Sequence, residues 1–224
     1  MVLHENKDCR WYSFPSFDAL PGVVTFVTTR NGVVHGDVQS ITDEFIRLSK
    51  PEQTACLDGV DAVMTDCPSV AIAESTADCV PVLLYDALHR ACAAVHAGWR
   101  GMARHIVRRS IDEMVNMYGT VPSDLYVAVG PSIGPDNFEV GDEVVQTFDS
   151  EGFDVNRIAR RYPSGRFHID LWAAAVEELT ACGVDLSRIE VAGICTRAHD
   201  WEFFSARSLG FHSGRFLTGI YICP

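Results

Sequence analysis

Apolar positions along the chain fall into short runs separated by turn residues, with longer stretches at helical spacing. Residues 23–28 (VVTFVT) are β-branched and aromatic, which predicts a strand. Residues 61–65 and 70–74 predict two more, with Asp66, Cys67, Pro68 and Ser69 as the turn between them. Two apolar runs, 80–85 (VPVLLY) and 91–96 (ACAAVH), flank the link DALHR and predict a hairpin. Pro81 has no N–H to give, so its nitrogen must face away from a ladder partner. In residues 100–118, Met102, Ile106, Ile111, Met114 and Val115 recur at helical spacing and Gly119 follows as a stop. This predicts one long helix. Residues 125–129 predict a strand running into the turn-rich GPSIGPDN. Residues 140–148 and 171–181 predict helices, the second ended by Gly183. Residues 189–194 and 217–223 predict closing strands. Strands and helices mix without regular βαβ alternation. The expectation is an α+β fold: a single domain over residues 1–224, with a mixed or antiparallel sheet core packed with helices.

Composition narrows the function classes. Apolar residues make up 47% of the 224 positions and charged ones 21%, enough for a substantial core and against disorder. The formal net charge is −12, with a sequence pI near 5.0. Such a balance offers no footprint for nucleic acid and no polybasic segment for anionic lipid. No apolar run has the length of a membrane span, and the start MVLHENKDCRWYSF lacks the pattern of a signal peptide, so the cytoplasm is the expected compartment. In that reducing setting the eight scattered cysteines are expected as free thiols or ligands. CxxC and HExxH are both absent, which lowers the case for a zinc finger or a zincin-type protease.

The chemistry concentrates in residues 76–101, TADCVPVLLYDALHRACAAVHAGWRG. If the hairpin turns symmetrically about Ala87 and Leu88, Cys79 faces His96 directly across two strands, with Cβ atoms roughly 4.5–5.5 Å apart. Ala-Leu is poor chemistry for a two-residue turn, so a wider loop with the same centre is expected. That separation suits two ligands of one metal, or a thiol and its base. Either residue alone reads as a buried thiol or a satisfied imidazole. Their facing positions, the polar Asp78 beside Cys79, and the GWRG that follows shift the balance towards function. Arg100 opens the long helix, where a cation opposes the dipole, so a solvated Arg and a holder of an anionic ligand both fit. The loop GPSIGP can turn amides to a ligand or serve as a plain connection. Glu139 just beyond it reads as a general acid/base or as an acidic residue favourable at a helix start. His168, Asp170 and Trp172 read as a capped helix entry.

At these residues the chain resembles the laccase-domain, polyphenol-oxidase-like family that includes purine nucleoside phosphorylases. The resemblance rests on TADCVP, HAGWRG, VGPSIGP, EVG, HIDLW, Cys195-Thr196 with FFS, and the early TTRNG, and it covers nearly the whole chain. It implies one zinc held by two histidines and a cysteine with water at an open position: His35, Cys79 and His96. Three ligands and an open position is the pattern of a catalytic zinc. The sequence departs from the family at Val33, where Gln is usual, and the stretch between TTRNG and His35 is short, leaving Arg30 and His35 nearly adjacent. Asp136 and Asn137 stand where some relatives carry cysteine, which weakens any claim to extra copper sites.

What the resemblance implies is phosphorolysis of adenosine, inosine and S-methyl-5′-thioadenosine, with adenosine deamination as a further activity. The partners would be purine nucleosides and phosphate. Arg30 and Arg100 would hold phosphate, since Arg gives bidentate contacts to it. Asp78 and Glu139 would move protons, with Cys79 at the catalytic centre. Other readings stay open. Copper outcompetes zinc on affinity and would make a polyphenol oxidase. Cys79 as nucleophile with His96 as base would make a hydrolase. A closed four-ligand site, with Cys92 or His89 approaching, would make a non-catalytic metal-binding protein.

Overall fold

The structure is a computed structural model that describes residues 1–5, 9–33, 59–163, 165–210 and 212–224, with backbone alone at 9 and 31–33. Along the chain run β1 (Val2–Glu5), β2 (Cys9–Ser13), α1 (Pro15–Asp18), β3 (Val23–Val33), β4 (Ala62–Thr65), β5 (Ala71–Thr76), β6 (Val80–Asp86) and β7 (Ala91–Ala97). Then come α2 (Trp99–Ala103), α3 (Ile106–Tyr118), β8 (Tyr126–Val129), β9 (Glu139–Val140), α4 (Asp142–Ser150), α5 (Val155–Ile158), β10 (Ala159–Arg161) and β11 (Phe167–Ile169). Last are α6 (Leu171–Ala181), β12 (Ile189–Val191), α7 (Ala206–Leu209) and β13 (Phe216–Ile222).

One five-stranded sheet has the order β1-β2-β3-β13-β5 and is antiparallel throughout. A second has the order β12-β8-β6-β7-β4, antiparallel except where β12 runs parallel to β8. The α+β expectation with mixed sheets holds. Alternation along the strands explains the layers. Leu83 and Tyr85 of β6 and Cys92 and Ala94 of β7 meet Val27, Phe216 and Ile220 of the first sheet. Val80, Val82 and Leu84, with Ala93 and Val95, turn the other way onto Val107, Ile111 and Met114 of α3 and Ala175 and Leu179 of α6. Being covered on both faces is why β6 and β7 read as unbroken apolar runs. The small residues of β7 let the layers close tightly.

Several expectations need correction. The single helix over 100–118 is two, broken at Arg104 and His105. His105 takes a left-handed backbone, φ 61°, stacks on Phe153 and meets the Glu178 carboxylate at 2.6 Å. These tertiary contacts outweigh the continuous helical pattern. The helix expected at 140–148 starts at Asp142, because Gly141 is extended and Val140 pairs with Phe167. The strand expected to reach 194 ends at Val191, and Gly193 takes φ 63° two residues on. Residues 61–65 and 70–74 both contain strands, but the turn between them carries the chain from one sheet to the other. Gly119, at φ 72°, stops α3 as expected. The cysteines whose side chains are described are free thiols. No helix among the described residues is long and apolar enough to cross a membrane.

On β5, Glu74 pairs with buried Thr218 and so shares the face of Phe216 and Ile220. Burial, with repulsion from Asp61, pushes its carboxyl up to about 8. A raised carboxyl pKa favours the folded state at low pH, and that advantage is lost as pH rises through about 8. Glu74→Gln removes the loss. Its stability relative to wild type is expected to grow by about 1–2 kcal/mol from acid to mildly alkaline pH, partial solvation keeping the gain small. Thermal melts across that range check it.

Candidate active site

The β6–β7 hairpin places the two central residues, in a register different from the symmetric expectation. His96 faces Pro81, and Val80 faces Ala97. The reason is the loop. The Asp86 carboxylate accepts from the N–H of Leu88 and His89 and meets the His89 ring at 2.7 Å, while Arg90 turns at φ 51°. This four-residue loop centres one position later than Ala87-Leu88. Parity survives the shift, so Pro81 and His96 share the face towards the first sheet, and Cys79 lies one residue before β6. Cys79 and His96 are therefore diagonal rather than directly opposed.

Their functional atoms converge above Gly98. A Cβ on Gly98 would lie 3.3 Å from Cys79 Sγ and 3.8 Å from His96 Nε2. Glycine at this position leaves the space between sulfur and imidazole open. Asp61, just before β4, holds His96 twice: its carbonyl accepts the His96 N–H at 2.7 Å, and its carboxylate meets Nδ1 at 3.1 Å. With Nδ1 engaged there, Nε2 is the nitrogen left to face Cys79. A carboxylate behind an imidazole is the usual outer support of a metal-ligating His. Burial first, then the charges of Asp78 and Asp61, push the Cys79 thiol up, with Arg215 opposing. A free thiol so placed stays protonated at neutral pH and is a poor nucleophile. A metal ion would displace that proton. The donor set of one sulfur and one oriented imidazole thus fits a metal. Among the described residues no group of three or more His, Cys, Asp or Glu gathers as a metal site, and His35 lies outside the described residues.

The other expected site residues are placed as follows. Asp78 has φ 87°, and its carboxylate accepts from Thr196 Oγ1 and from the Arg207 N–H, both at 2.7 Å. Glu139, on β9, pairs with His168, and its Oε2 lies 3.8 Å from His168 Nε2. Its carbonyl accepts from Arg207 Nη1 at 3.0 Å, so one arginine links Glu139 to Asp78. Arg100 lies in α2, two residues past Gly98, with its guanidinium 4.2 Å from the Trp99 ring centre. Arg30 lies on β3; its guanidinium donates to the Asp200 carbonyl and stacks over Phe204. None of the ion pairs among the described residues uses Arg30 or Arg100. No hydrogen bond or ion pair among the described residues joins Arg30 to Cys79 or His96.

The capping role expected of Asp170 holds, since it accepts the Ala173 N–H at 2.9 Å. His168 has more to it than a helix entry. It lies in a row with Arg160 and Glu139 across β10, β11 and β9, its ring stacked on Tyr162 and its Nδ1 on the Pro135 carbonyl. Asp61, Thr196 and Arg207 were not singled out from the sequence. Thr196 and Arg207 sit in or beside the quoted motifs CT and FFS, which was the one signal available. Asp61 lies in DGVDAVMTD, a stretch that also fits the family pattern, but its place beside His96 comes from the pairing of β4 with β7.

Residues 25–223 match a family model described as multi-copper polyphenol oxidoreductase laccase. A purine nucleoside phosphorylase of Bacteroides thetaiotaomicron is 47% identical over 183 residues, which cover 81% of this chain and 68% of that protein. Adenosine deaminase RL5, from an unknown prokaryotic organism, is 44% identical over 185 residues, covering 82% of this chain and 70% of that one. Among solved structures, YlmD from Geobacillus stearothermophilus matches with a TM-score of 0.82 at 26% identity, over 100% of this chain and 99% of that chain. The family match runs from β3 through β13 and takes in Cys79, Gly98 and the loops around them, so the chain belongs to the multi-copper polyphenol oxidoreductase laccase family.

Proposed function

We propose that this protein is a zinc-dependent purine nucleoside phosphorylase acting on adenosine, inosine and S-methyl-5′-thioadenosine, with adenosine deamination as a second activity. The observation that carries the proposal is the convergence of Cys79 Sγ and His96 Nε2 above Gly98, with Asp61 behind the imidazole. The similar proteins named purine nucleoside phosphorylase and adenosine deaminase support a purine nucleoside substrate. Cys79, His96 and His35 would hold the zinc, which supplies a Lewis acid.

The chain's own residues do the rest. Phosphorolysis forms a bond from phosphate oxygen to the sugar C1′ and breaks the bond from C1′ to the purine nitrogen, so a proton must reach the departing base. Glu139 is the carboxyl available for that transfer. Its side chain is exposed and only loosely paired with His168, whereas both oxygens of Asp78 already accept hydrogen bonds. Arg100 and Arg30, free of carboxylate partners among the described residues, would hold the phosphate.

Two other readings fit less of the geometry. Asp61, His96 and Cys79 stand in the order of a Cys–His–acid triad, but such a nucleophile needs a depressed thiol pKa and this one is raised. The family description favours copper oxidation of phenols. However, His89, His105, His168 and His199 are each engaged separately, with Asp86, Glu178, Pro135 and Cys195.

Purified protein is expected to carry zinc and to release base from inosine and adenosine only with phosphate, and Cys79→Ala is expected to lose both. Elemental analysis beside that assay decides it, and full activity without metal would reject the proposal. Asp61→Ala should weaken zinc binding about 10–100-fold, read by competition with a chelating dye. Arg100→Ala should raise the KM for phosphate about tenfold or more, with the KM for nucleoside little changed. An unchanged phosphate KM removes Arg100 from that role.

A further inference from the structure

We propose that Asp78 is the positioning residue of the site: its carboxylate clamps Thr196 and Arg207 so that the strained turn beneath it aims the Cys79 sulfur over Gly98. The inference rests on the metal-site reading above and assigns Asp78 a role other than proton transfer.

Residue 78 is pinned at its carbonyl and at both carboxylate oxygens. Its carbonyl accepts the Ile133 N–H at 2.9 Å. One carboxylate oxygen takes the Thr196 hydroxyl and the other takes the Arg207 N–H, both at 2.7 Å. The three partners come from different segments: the GPSIGP loop, the loop after Cys195, and the first turn of α7. Thr196 is itself fully buried, and its N–H is held by the Ser132 carbonyl at 2.9 Å. Around this web the Asp78 backbone sits at φ 87°, a conformation an L-residue with a side chain rarely adopts. Such strain persists only where surrounding bonds over-determine it. The next residue is Cys79, and the direction of its Cα–Cβ bond follows from that turn.

The clamp also speaks against Asp78 as a base. Protonating the oxygen that faces Arg207 would set a donor against a donor, and that N–H points at this oxygen alone among the described groups. An Asn at 78 could keep the web, its oxygen accepting from Arg207 and its NH2 donating to the Thr196 oxygen, while having no basicity. An Ala would lose it.

The test loads cobalt(II) into wild type, Asp78→Asn, Asp78→Ala and Thr196→Val. Affinity, the thiolate-to-cobalt charge-transfer band and kcat are then followed. Asp78→Asn is expected to keep affinity and band within about fivefold of wild type and to retain turnover with an unchanged pH profile. Asp78→Ala should lose about 10–100-fold in affinity and weaken the band, as loss of an outer support does. Should that variant not fold, Thr196→Val, which breaks one bond of the clamp, should still weaken the band. Wild-type spectra in Asp78→Ala and Thr196→Val would overturn the proposal. So would an Asp78→Asn that is inactive with its cobalt spectrum intact, the mark of a base. If wild type binds no cobalt, the metal reading fails, and the clamp is judged on metal-free protein by iodoacetamide labelling of Cys79, followed by peptide mapping. A changed rate in Thr196→Val supports the clamp, and an equal rate rejects it.

Discussion

Everything at the candidate site depends on the pairing of β6 with β7 inside a layer buried on both sides. Strand side chains alternate, so one register step would turn Cys79 and His96 away from each other. Here a step is costly. It would move Leu83 and Cys92 out of the inter-sheet core and bring Val82 and Ala93 out from under the helices. The burial of the middle of the hairpin therefore fixes the chemistry at its open end. The loop chosen by Asp86 sets which of the same-parity registers is used.

Charge follows the same economy. Asp61 and Asp78 both stand close enough to Cys79 to raise its thiol, each already engaged in hydrogen bonding. Two carboxylates behind a sulfur and an imidazole make a poor setting for a free thiolate and a favourable one for a dication, because the ion's charge inverts the local balance.

Much of this was legible in the sequence and some was not, for identifiable reasons. The strand at residue 23, the helix over Leu171–Ala181, and the stops at Gly119 and Gly183 follow from local periodicity and capping. That Cys79 and His96 come near each other was legible in the hairpin pattern, even with the loop centre misplaced by one position. The break at His105 was hidden, because it is imposed by Phe153 and Glu178 from distant parts of the chain. The short strands β1, β2, β10 and β11 lack long apolar runs and take their form from pairing partners. The place of Asp61 beside His96 was hidden for the same reason. The roles of Thr196 and Arg207 come from the convergence of three loops, and no spacing along the chain encodes that.

The alanines of β7 have a consequence for how such a sequence can drift. Ala91, Ala93, Ala94 and Ala97 are fully buried between helices and sheet, where one added methylene must push a whole layer aside. Substitution is therefore channelled elsewhere, onto the outer faces of the helices and the far strands of the first sheet. A lineage can replace most of its residues and still keep this one strand nearly unchanged.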